Sequence, residues 1–197
     1  MDAQFRFMLE TLFQEGQAND ARQEDRRQKM LNLEPETAQC ISLLVQSSKR
    51  KHILEIGTSN GYSTIWLAWA TRQSGGQIIS IDREASKHAL AEQNLSRMGL
   101  RDRVELRCGD ATEIVASLPG PFDCIFFDAD RWSAPQQLAL LLPKLLPDTL
   151  LLADNVLSHP AEIAGYLAAI QALPAFEHMV ILVGKGLSVA YRGGTPG

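Results

Sequence analysis

Short apolar runs alternate with longer amphipathic segments along the chain from residue 52 onward. The apolar runs predict seven β-strands, at residues 53–56, 77–81, 104–107, 122–127, 149–153, 179–183 and 187–191. The amphipathic segments predict helices at residues 62–72, 85–98, 111–117, 136–146 and 161–172. Strands that are apolar throughout are covered on both faces, and helices between strands imply right-handed parallel crossovers. The pattern therefore predicts an α/β fold, with a doubly wound, mostly parallel seven-stranded sheet and helices on both faces.

The two ends of the chain depart from this alternation. The last two apolar runs are separated only by Gly184-Lys185-Gly186, which suits a tight hairpin and makes the final strand antiparallel. At the other end, the spacing of apolar residues predicts a helix that stops near Gly16, and a second helix starts at Glu34-Pro35-Glu36. The polar residues 17–29 between them predict a solvated loop or mobile helix, or alternatively a lid over a small-molecule site.

Length, charge and cysteine content narrow the class of protein. The chain has 197 residues, a net charge of −4 and a pI of about 5.6, which predicts one domain over residues 1–197 and disfavours nucleic acid as a partner. Within it, residues 1–50 form the N-terminal helical extension with the candidate lid, and residues 51–192 form the core. Three cysteines without CxxC spacing suit the cytoplasm. No apolar stretch reaches the 18 residues of a membrane span, so no membrane contact is expected.

Acidic residues lie at or near the carboxyl ends of five predicted strands: Glu55, Asp82, Asp110, Asp128 and Asp154. Open α/β sheets bind ligands at this edge. Five carboxylates gathered on one rim repel each other, so a cation or ligand hydroxyls must offset part of the repulsion. This convergence is the main functional signal in the sequence.

The first strand and the second strand together predict a nucleoside site. Gly57 and Gly61 flank the turn into a helix, where glycine lets the backbone approach a ligand and the helix N-terminus attracts an anionic group. Asp82 follows 21 residues after Gly61, at the end of the second strand, where a carboxylate takes the hydroxyls of a ribose. A plain strand–helix turn remains the alternative for the glycine pair, but the combination favours an adenosine-containing cofactor.

A second constellation consists of Asp128, Asp154 and Asn155. These residues supply only hard oxygen ligands from two strand ends, which suits Mg²⁺ or Ca²⁺ rather than zinc. The alternative is that Asp154-Asn155 forms an Asx turn as the chain leaves its strand. Because Asp154 and Asn155 are expected to lie next to Asp128 and the cofactor site, the metal site is the favoured interpretation.

Five segments carry a resemblance to a known family: LEIGTSNGYST, the acidic strand end SID, GDA, FDCIFFDAD and LLADNVL. They resemble class I S-adenosylmethionine-dependent methyltransferases, and more narrowly the cation-dependent O-methyltransferases of the catechol and caffeoyl-coenzyme A type. The resemblance covers residues 28–192, in family order, and implies a Rossmann-like core. It also implies a homodimer, for which the apolar face of the first helix, with Phe5, Phe7, Leu9 and Phe13, is a candidate contact.

The resemblance implies roles for individual residues. For the cofactor S-adenosylmethionine, it places Glu55, Gly57, Gly61, Tyr62 and Ser63 around the methionine part, Asp82 at the ribose hydroxyls, Asp110 and Ala111 beside the adenine, and Asp128 at the same rim. For the metal, it implies Asp128, Asp154 and Asn155 as ligands. A divalent ion lowers the pKa of a bound hydroxyl, which creates an oxygen nucleophile near neutral pH.

The chain departs from the family pattern at the residue expected to help take the hydroxyl proton. Arg131 stands where the family usually has lysine. A guanidinium has a pKa above ~12 and cannot act as a base, although it can stabilise an oxyanion. His159 is an alternative base, or else a surface histidine at a helix start. Gly184-Lys185-Gly186 also replaces the family's Gly-Asp-Gly.

Two methyltransferase functions therefore stay open. The first is an O-methyltransferase that uses S-adenosylmethionine and a divalent cation on a small hydroxylated, aromatic acceptor. The second is a metal-independent methyltransferase of the same fold that acts on another oxygen or nitrogen nucleophile. The replacement of the family's lysine by Arg131 is the reason for considering it. A nicotinamide-dependent oxidoreductase is disfavoured by the G-x-x-x-G spacing, and a cofactor-binding protein without catalysis is the remaining alternative.

Overall fold

The computed structural model describes residues 1–194. Its seven strands are β1 His52–Ile56, β2 Gln77–Asp82, β3 Val104–Cys108, β4 Phe122–Phe127, β5 Leu145–Ala153, β6 Glu177–Ile181 and β7 Leu187–Arg192. Its helices are α1 Ala3–Arg22, α2 Pro35–Ser47, α3 Tyr62–Ala70, α4 Ala85–Arg97, α5 Ala111–Ser117, α6 Ala134–Leu141 and α7 Pro160–Gln171. The strands form one sheet in the order β3-β2-β1-β4-β5-β7-β6.

Five neighbouring strands of this sheet are parallel, and β7 runs antiparallel to both β5 and β6. The doubly wound sheet with an antiparallel final strand is therefore confirmed. The strand order reverses between β1 and β4, so the connections that leave these two strands diverge. Their carboxyl ends border the crevice in which open α/β sheets bind ligands.

The strand β4 shows why both faces of the sheet are covered. All six of its residues are buried. Cys124 and Phe126 contribute to a core shared with α1, α2 and α3, whereas Ile125 and Phe127 contribute to a core shared with α5, α6 and α7. Because side chains alternate along a strand, an uninterrupted apolar run supplies both cores at once.

The predicted end of the first helix near Gly16 is wrong, because α1 continues to Arg22. Gly16 lies under the chain that returns along the helix, where a Cβ atom would come within 2.3 Å of Asn32 Nδ2. This glycine marks a close approach of two segments rather than a helix end. The helix predicted over residues 136–146 also ends early, at Leu141, because Pro143 cannot continue the hydrogen-bond pattern.

Most of the apolar face of α1 is already covered within this chain. Phe5, Leu9 and Leu12 are buried, and the Phe5 ring lies 4.2 Å from the Trp69 ring of α3. Only Phe7 stays largely exposed, at 73%. This face is therefore not free to form a subunit contact, and the homodimer stays a prediction. None of the helices within residues 1–194 has the length and apolarity that crossing a bilayer requires.

Candidate active site

A cavity of about 620 Å³ lies at the carboxyl ends of β1, β2 and β4. Seven of the predicted site residues line it: Gly57, Tyr62, Ser63, Asp82, Asp128, Arg131 and Asn155. Six others do not belong to its wall: Glu55, Gly61, Asp110, Ala111, Asp154 and His159. The structure thus brings seven of the thirteen predicted residues to one cavity and leaves the other six outside its wall.

Gly57 allows the loops that follow β1 and β4 to touch. Its φ angle is +114°, and a Cβ atom there would lie 2.3 Å from the carbonyl oxygen of Asp128. Any side chain at position 57 would separate the two loops. Gly61, with φ +86°, then turns the chain into α3, where the N–H of the first residue, Tyr62, donates to Asn60 Oδ1 at 3.3 Å.

Glu55 lies beneath this loop rather than in the cavity. It is fully buried, and its carboxylate accepts hydrogen bonds from Ser63 Oγ at 2.6 Å, from Ser80 Oγ at 2.5 Å and from Thr64 Oγ1. These hydroxyls occupy three of the about four acceptor positions of the carboxylate, and the predicted role of Glu55 at the cofactor stays a prediction. In the structure, Glu55 holds α3 and β2 in register around the loop that lines the cavity.

Burial gives Glu55 an expected signature in the pH dependence of stability. Burial raises the pKa of Glu55 from 4.5 to about 7, against the opposing effect of its three hydroxyl donors. The folded state therefore binds the proton more tightly than the unfolded chain, so stability falls as the pH rises from about 4.5 to about 7. This decrease in the free energy of unfolding amounts to about 3 kcal/mol. We expect the Glu55→Gln variant to lack it.

Urea unfolding of both proteins between pH 5 and pH 8 measures this difference. Since the Glu55 charge also raises the pKa of Asp128, the comparison measures Glu55 together with its effect on Asp128. Parallel stability curves for the wild type and Glu55→Gln would show that Glu55 stays ionised in the folded state.

Asp82 lines the cavity and also orders its wall. One carboxylate oxygen accepts the backbone N–H of Ser59 at 2.7 Å, and the other accepts that of Glu84 at 2.9 Å. A carboxylate has about four acceptor positions, so two remain for ligand hydroxyls. Asp82 thus links the β1–α3 loop to the end of β2 while it faces the cavity.

Asp110 does not face this cavity. Its Oδ1 atom accepts the backbone N–H groups of Thr112 and Glu113 at 2.9 and 3.1 Å, so it caps the N-terminus of α5. An N-cap carboxylate stabilises the helix without any ligand. The predicted role of Asp110 and Ala111 beside an adenine ring stays a prediction.

Asp128 and Asp154 follow the neighbouring strands β4 and β5 and line one small cleft together with Arg131. Asp154 is 3% exposed; its Oδ2 atom accepts a hydrogen bond from Asn155 Nδ2, and its Oδ1 atom is buried without a partner. Burial raises the pKa of Asp128 well above its ordinary range, and the Asp154 carboxylate raises it further. A buried carboxylate with an unbonded oxygen beside a partly buried one forms an electrostatically incomplete pair.

The donor set of this pair fits a hard divalent cation. Within residues 1–194, no group of three or more His, Cys, Asp or Glu side chains is placed to hold a metal ion. A cation at Asp128 and Asp154 would therefore rely on these two carboxylates, the Asn155 amide oxygen and water. Such a set of oxygen donors suits Mg²⁺ or Ca²⁺.

Arg131 and His159 occupy different environments. The Arg131 side chain is 11% exposed, lines the cavity and pairs with Glu162 Oε2 at 3.1 Å. Glu162 also lines the cavity and was not predicted. His159 precedes α7 outside the cavity wall, and its Nδ1 atom is within 2.8 Å of Ser158 Oγ. The position of His159 gives no support to its predicted role as a base.

Residues 23–34, which we call the strap, cross from α1 to α2 over one side of the cavity. The Asp20 carboxylate accepts the backbone N–H groups of Met30 at 2.6 Å and Leu31 at 2.8 Å, and Ser59 Oγ donates to the Met30 carbonyl at 2.6 Å. Arg26 also lines the cavity with these two residues. The strap is thus bonded to α1 at Met30 and Leu31 and to the cavity wall at Met30. These bonds lie beyond the predicted stretch 17–29, whose first six residues belong to α1, so the lid stays a prediction.

Two apolar side chains at the cavity were not singled out by the sequence. Trp132 is 68% exposed and Leu31 is 50% exposed, and both line the cavity. Trp132 immediately follows Arg131 in the loop after β4. The expectation that ligand-binding residues lie just beyond strand ends could therefore have included it. Exposed aromatic and aliphatic surface beside a cavity suits an apolar ligand.

Comparison with known proteins agrees with this geometry. A family model described as a methyltransferase domain matches residues 54–156, more than half of the chain. A catechol O-methyltransferase of Niastella koreensis is 37% identical over 131 residues, covering 64% of this chain and 59% of that protein. A catechol O-methyltransferase of Mycobacterium tuberculosis is 33% identical over 120 residues, covering 59% of this chain and 53% of that protein.

A solved structure covers the chain more completely. The crystal structure of an O-methyltransferase from Bacillus cereus in complex with SAH (S-adenosylhomocysteine) has a TM-score of 0.80 and 30% sequence identity, and covers 94% of this chain and 90% of that one. The chain thus belongs to the class I S-adenosylmethionine-dependent methyltransferases. The sequence matches span little more than half of the two curated relatives, 59% and 53% of their lengths.

Proposed function

We propose that this protein transfers a methyl group from S-adenosylmethionine to a hydroxyl oxygen of a small aromatic acceptor, and that a divalent cation at Asp128, Asp154 and Asn155 assists the transfer. The observation that carries the proposal is the gathering of Asp82, Asp128 and Asn155 at one cavity of about 620 Å³. The catechol O-methyltransferases among the relatives support the choice of acceptor.

The residues at the ends of β1 and β2 would hold the methyl donor. Asp82 offers two free acceptor positions to the ribose hydroxyls. The N-terminus of α3 would attract the carboxylate of the methionine part at Ser63, while the Tyr62 N–H donates to Asn60 Oδ1 at 3.3 Å. These two contacts lie on either side of the β1–α3 loop, so they would fix the orientation of the donor along the crevice.

The residues after β4 and β5 would act on the acceptor. A divalent cation, when bound, lowers the pKa of an acceptor hydroxyl and so favours the oxygen nucleophile near neutral pH. Asp128, Asp154 and Asn155 would position that cation at the cavity edge. Orientation of the acceptor oxygen toward the methyl group supplies much of the rate, since methyl transfer needs an in-line approach.

Arg131 would stabilise charge rather than accept a proton. Its guanidinium stays protonated at any physiological pH. It lines both the cavity and the cleft of Asp128 and Asp154, where a fixed positive charge favours an anionic acceptor oxygen. Trp132 and Leu31 would supply apolar surface to the ring of the acceptor.

The position of Arg131 also favours the second candidate, a methyltransferase that works without metal. In that case the guanidinium would partly balance Asp128 and Asp154 itself, and the nucleophile would be another oxygen or a nitrogen. The ion pair of Arg131 with Glu162 at 3.1 Å reduces the charge available for this purpose, so we prefer the cation-assisted reaction.

Incubation of the protein with S-adenosylmethionine and matched ortho-diphenols, monophenols and anilines tests the proposal. We expect a monomethylated ortho-diphenol by mass spectrometry when Mg²⁺ is present. Chelation with EDTA should lower the rate by about 100-fold or more, because the hydroxyl then keeps its high pKa.

Each other outcome selects a different reaction. Equal rates with and without EDTA would support the metal-independent alternative. Methylation of the aniline alone would move the nucleophile from oxygen to nitrogen. Binding of S-adenosylhomocysteine without turnover of any acceptor would contradict the enzymatic proposal.

A further inference from the structure

The β6–β7 hairpin touches the start of α2 beside the proposed cation site. Lys185 Nζ pairs with Glu34 Oε1 at 2.7 Å. The hairpin is also bonded to the segment that follows Asn155, since the N–H of Leu157 donates to the Lys185 carbonyl at 3.0 Å. Gly184 sits against α2, where a Cβ atom would lie 2.8 Å from Glu34 Oε2. Glu34 and Lys185 are therefore fixed next to the loop that carries Asp154.

Three buried oxygen atoms in this region have no hydrogen-bond partner: Glu34 Oε2, Thr37 Oγ1 and Asp154 Oδ1. Thr37 is fully buried and Asp154 is 3% exposed, so neither side chain is solvated at the surface. Buried oxygens without partners are destabilising unless water or an ion satisfies them. Glu34 Oε2 and Thr37 Oγ1 both lie against Gly184. A Mg²⁺ ion that only a few protein oxygens bind keeps water molecules, which would satisfy oxygens of this kind.

Glu34 does not complete a three-carboxylate metal group with Asp128 and Asp154. In the part of the chain that is described, no three such side chains are close enough together to hold an ion. The charge of Glu34 nevertheless acts on both carboxylates. Burial is the main cause of the raised pKa of Asp128 and of Asp154, and Glu34 raises both further. Lys185 opposes this effect at Asp154. Because the Lys185 carbonyl accepts the N–H of Leu157, three residues after Asp154, the ion pair lies beside the loop that carries Asp154 without belonging to a three-carboxylate group.

We propose that Glu34 and Lys185 form a charge pair that sets the affinity of the cation site, with Glu34 strengthening binding through the ion's water molecules and Lys185 limiting it. The inference rests on the proposed cation at Asp128 and Asp154. Glu34 and Lys185 are positioning residues, because neither contacts the ion or the acceptor directly.

The two members of the pair should act in opposite directions. Glu34→Gln removes a negative charge and leaves Lys185 unpaired, whereas Lys185→Gln leaves Glu34 with its full charge. At the exposure of these side chains, 27% and 53%, solvent screens much of the interaction. We expect about 5-fold weaker Mg²⁺ binding in Glu34→Gln and about 3-fold tighter binding in Lys185→Gln.

Isothermal titration of Mg²⁺ into the protein saturated with S-adenosylhomocysteine measures these affinities. The double variant should return to within about twofold of the wild type, since the neutral pair is removed as a unit. Both single effects should shrink at high salt. Glu36→Gln, an exposed carboxylate in the first turn of the same helix, is the matched control and should leave the affinity unchanged.

The outcomes separate this inference from the function on which it rests. No heat from Mg²⁺ in the wild type would overturn the cation site and the inference together. Mg²⁺ binding to the wild type with unchanged affinity in both single variants would overturn the inference alone. Weaker binding in both single variants and in the double variant, with a lower midpoint of thermal unfolding in EDTA, would show that the pair is only a structural clasp between α2 and the hairpin.

Discussion

Replacement of Asp154 by asparagine is expected to abolish most of the turnover while it leaves the affinity for S-adenosylhomocysteine nearly unchanged. Asp154 is 3% exposed and outside the wall of the main cavity, so no direct contact with the methyl donor is lost. Its Oδ1 atom is buried without a partner, and its Oδ2 atom accepts from Asn155. The variant keeps an oxygen for that hydrogen bond but removes one of the two charges that the proposed cation needs.

We expect the loss in kcat to reach about 100- to 1,000-fold, the size seen when a preorganised charge is removed from the reacting centre. Initial rates with an ortho-diphenol at saturating Mg²⁺, together with calorimetric titration of S-adenosylhomocysteine, give the two quantities separately. Asp102→Asn, an exposed carboxylate at the far end of β3, serves as the control. Full activity of Asp154→Asn would remove Asp154 from the reaction, and a parallel loss of donor affinity would indicate that the site had collapsed.

The apolar pattern predicted the sheet because its strands leave little ambiguity. In β4, every residue is buried, and a run of six residues is too short for an ordinary buried helix, so its length favours a strand covered on both faces. The errors fall where one residue type has two structural uses. Gly16 was interpreted as a helix end, yet it accommodates the Asn32 side chain within a continuous α1.

The candidate site was predictable to the extent that it lies just beyond strand ends. Asp82 is the last residue of β2, Asp128 and Asn155 come after β4 and β5, and all three line the cavity. Glu55 differs because it lies within β1, not after it. Side chains alternate, so Glu55 shares the face of Ile53 that packs on the α3 side of the sheet. This parity is readable in the sequence and could have indicated that Glu55 supports the loop from below.

Contacts between distant segments could not be predicted in the same way. The strap is polar in composition, and its order comes from hydrogen bonds of Asp20 and Ser59 to its backbone at Met30 and Leu31. The pair of Glu34 and Lys185 likewise joins residues that are far apart in the chain. Neither segment repeats a period or motif, so only the tertiary structure reveals these contacts.

Removal of the Asp82 carboxylate is expected to weaken the binding of S-adenosylhomocysteine strongly. Without the carboxylate, the ribose of the ligand would lose its charge-assisted hydrogen bonds, and each such bond contributes about 1.5–3 kcal/mol. We therefore expect an increase in Kd of about 30- to 100-fold for Asp82→Ala. Part of this increase would come from the loop, because Asp82 also accepts the N–H groups of Ser59 and Glu84 at 2.7 and 2.9 Å.

A cycle of ligand and protein changes separates the two contributions. Calorimetry of the wild type and of Asp82→Ala with S-adenosylhomocysteine and with its 2′-deoxy analogue gives four affinities. If Asp82 binds the ribose, loss of the 2′-hydroxyl should weaken binding to the wild type far more than binding to the variant. The variant has no carboxylate at this position, so it already lacks the contact. Equal losses in both proteins would assign Asp82 to the loop alone, and an unchanged Kd in Asp82→Ala would exclude it from donor binding altogether.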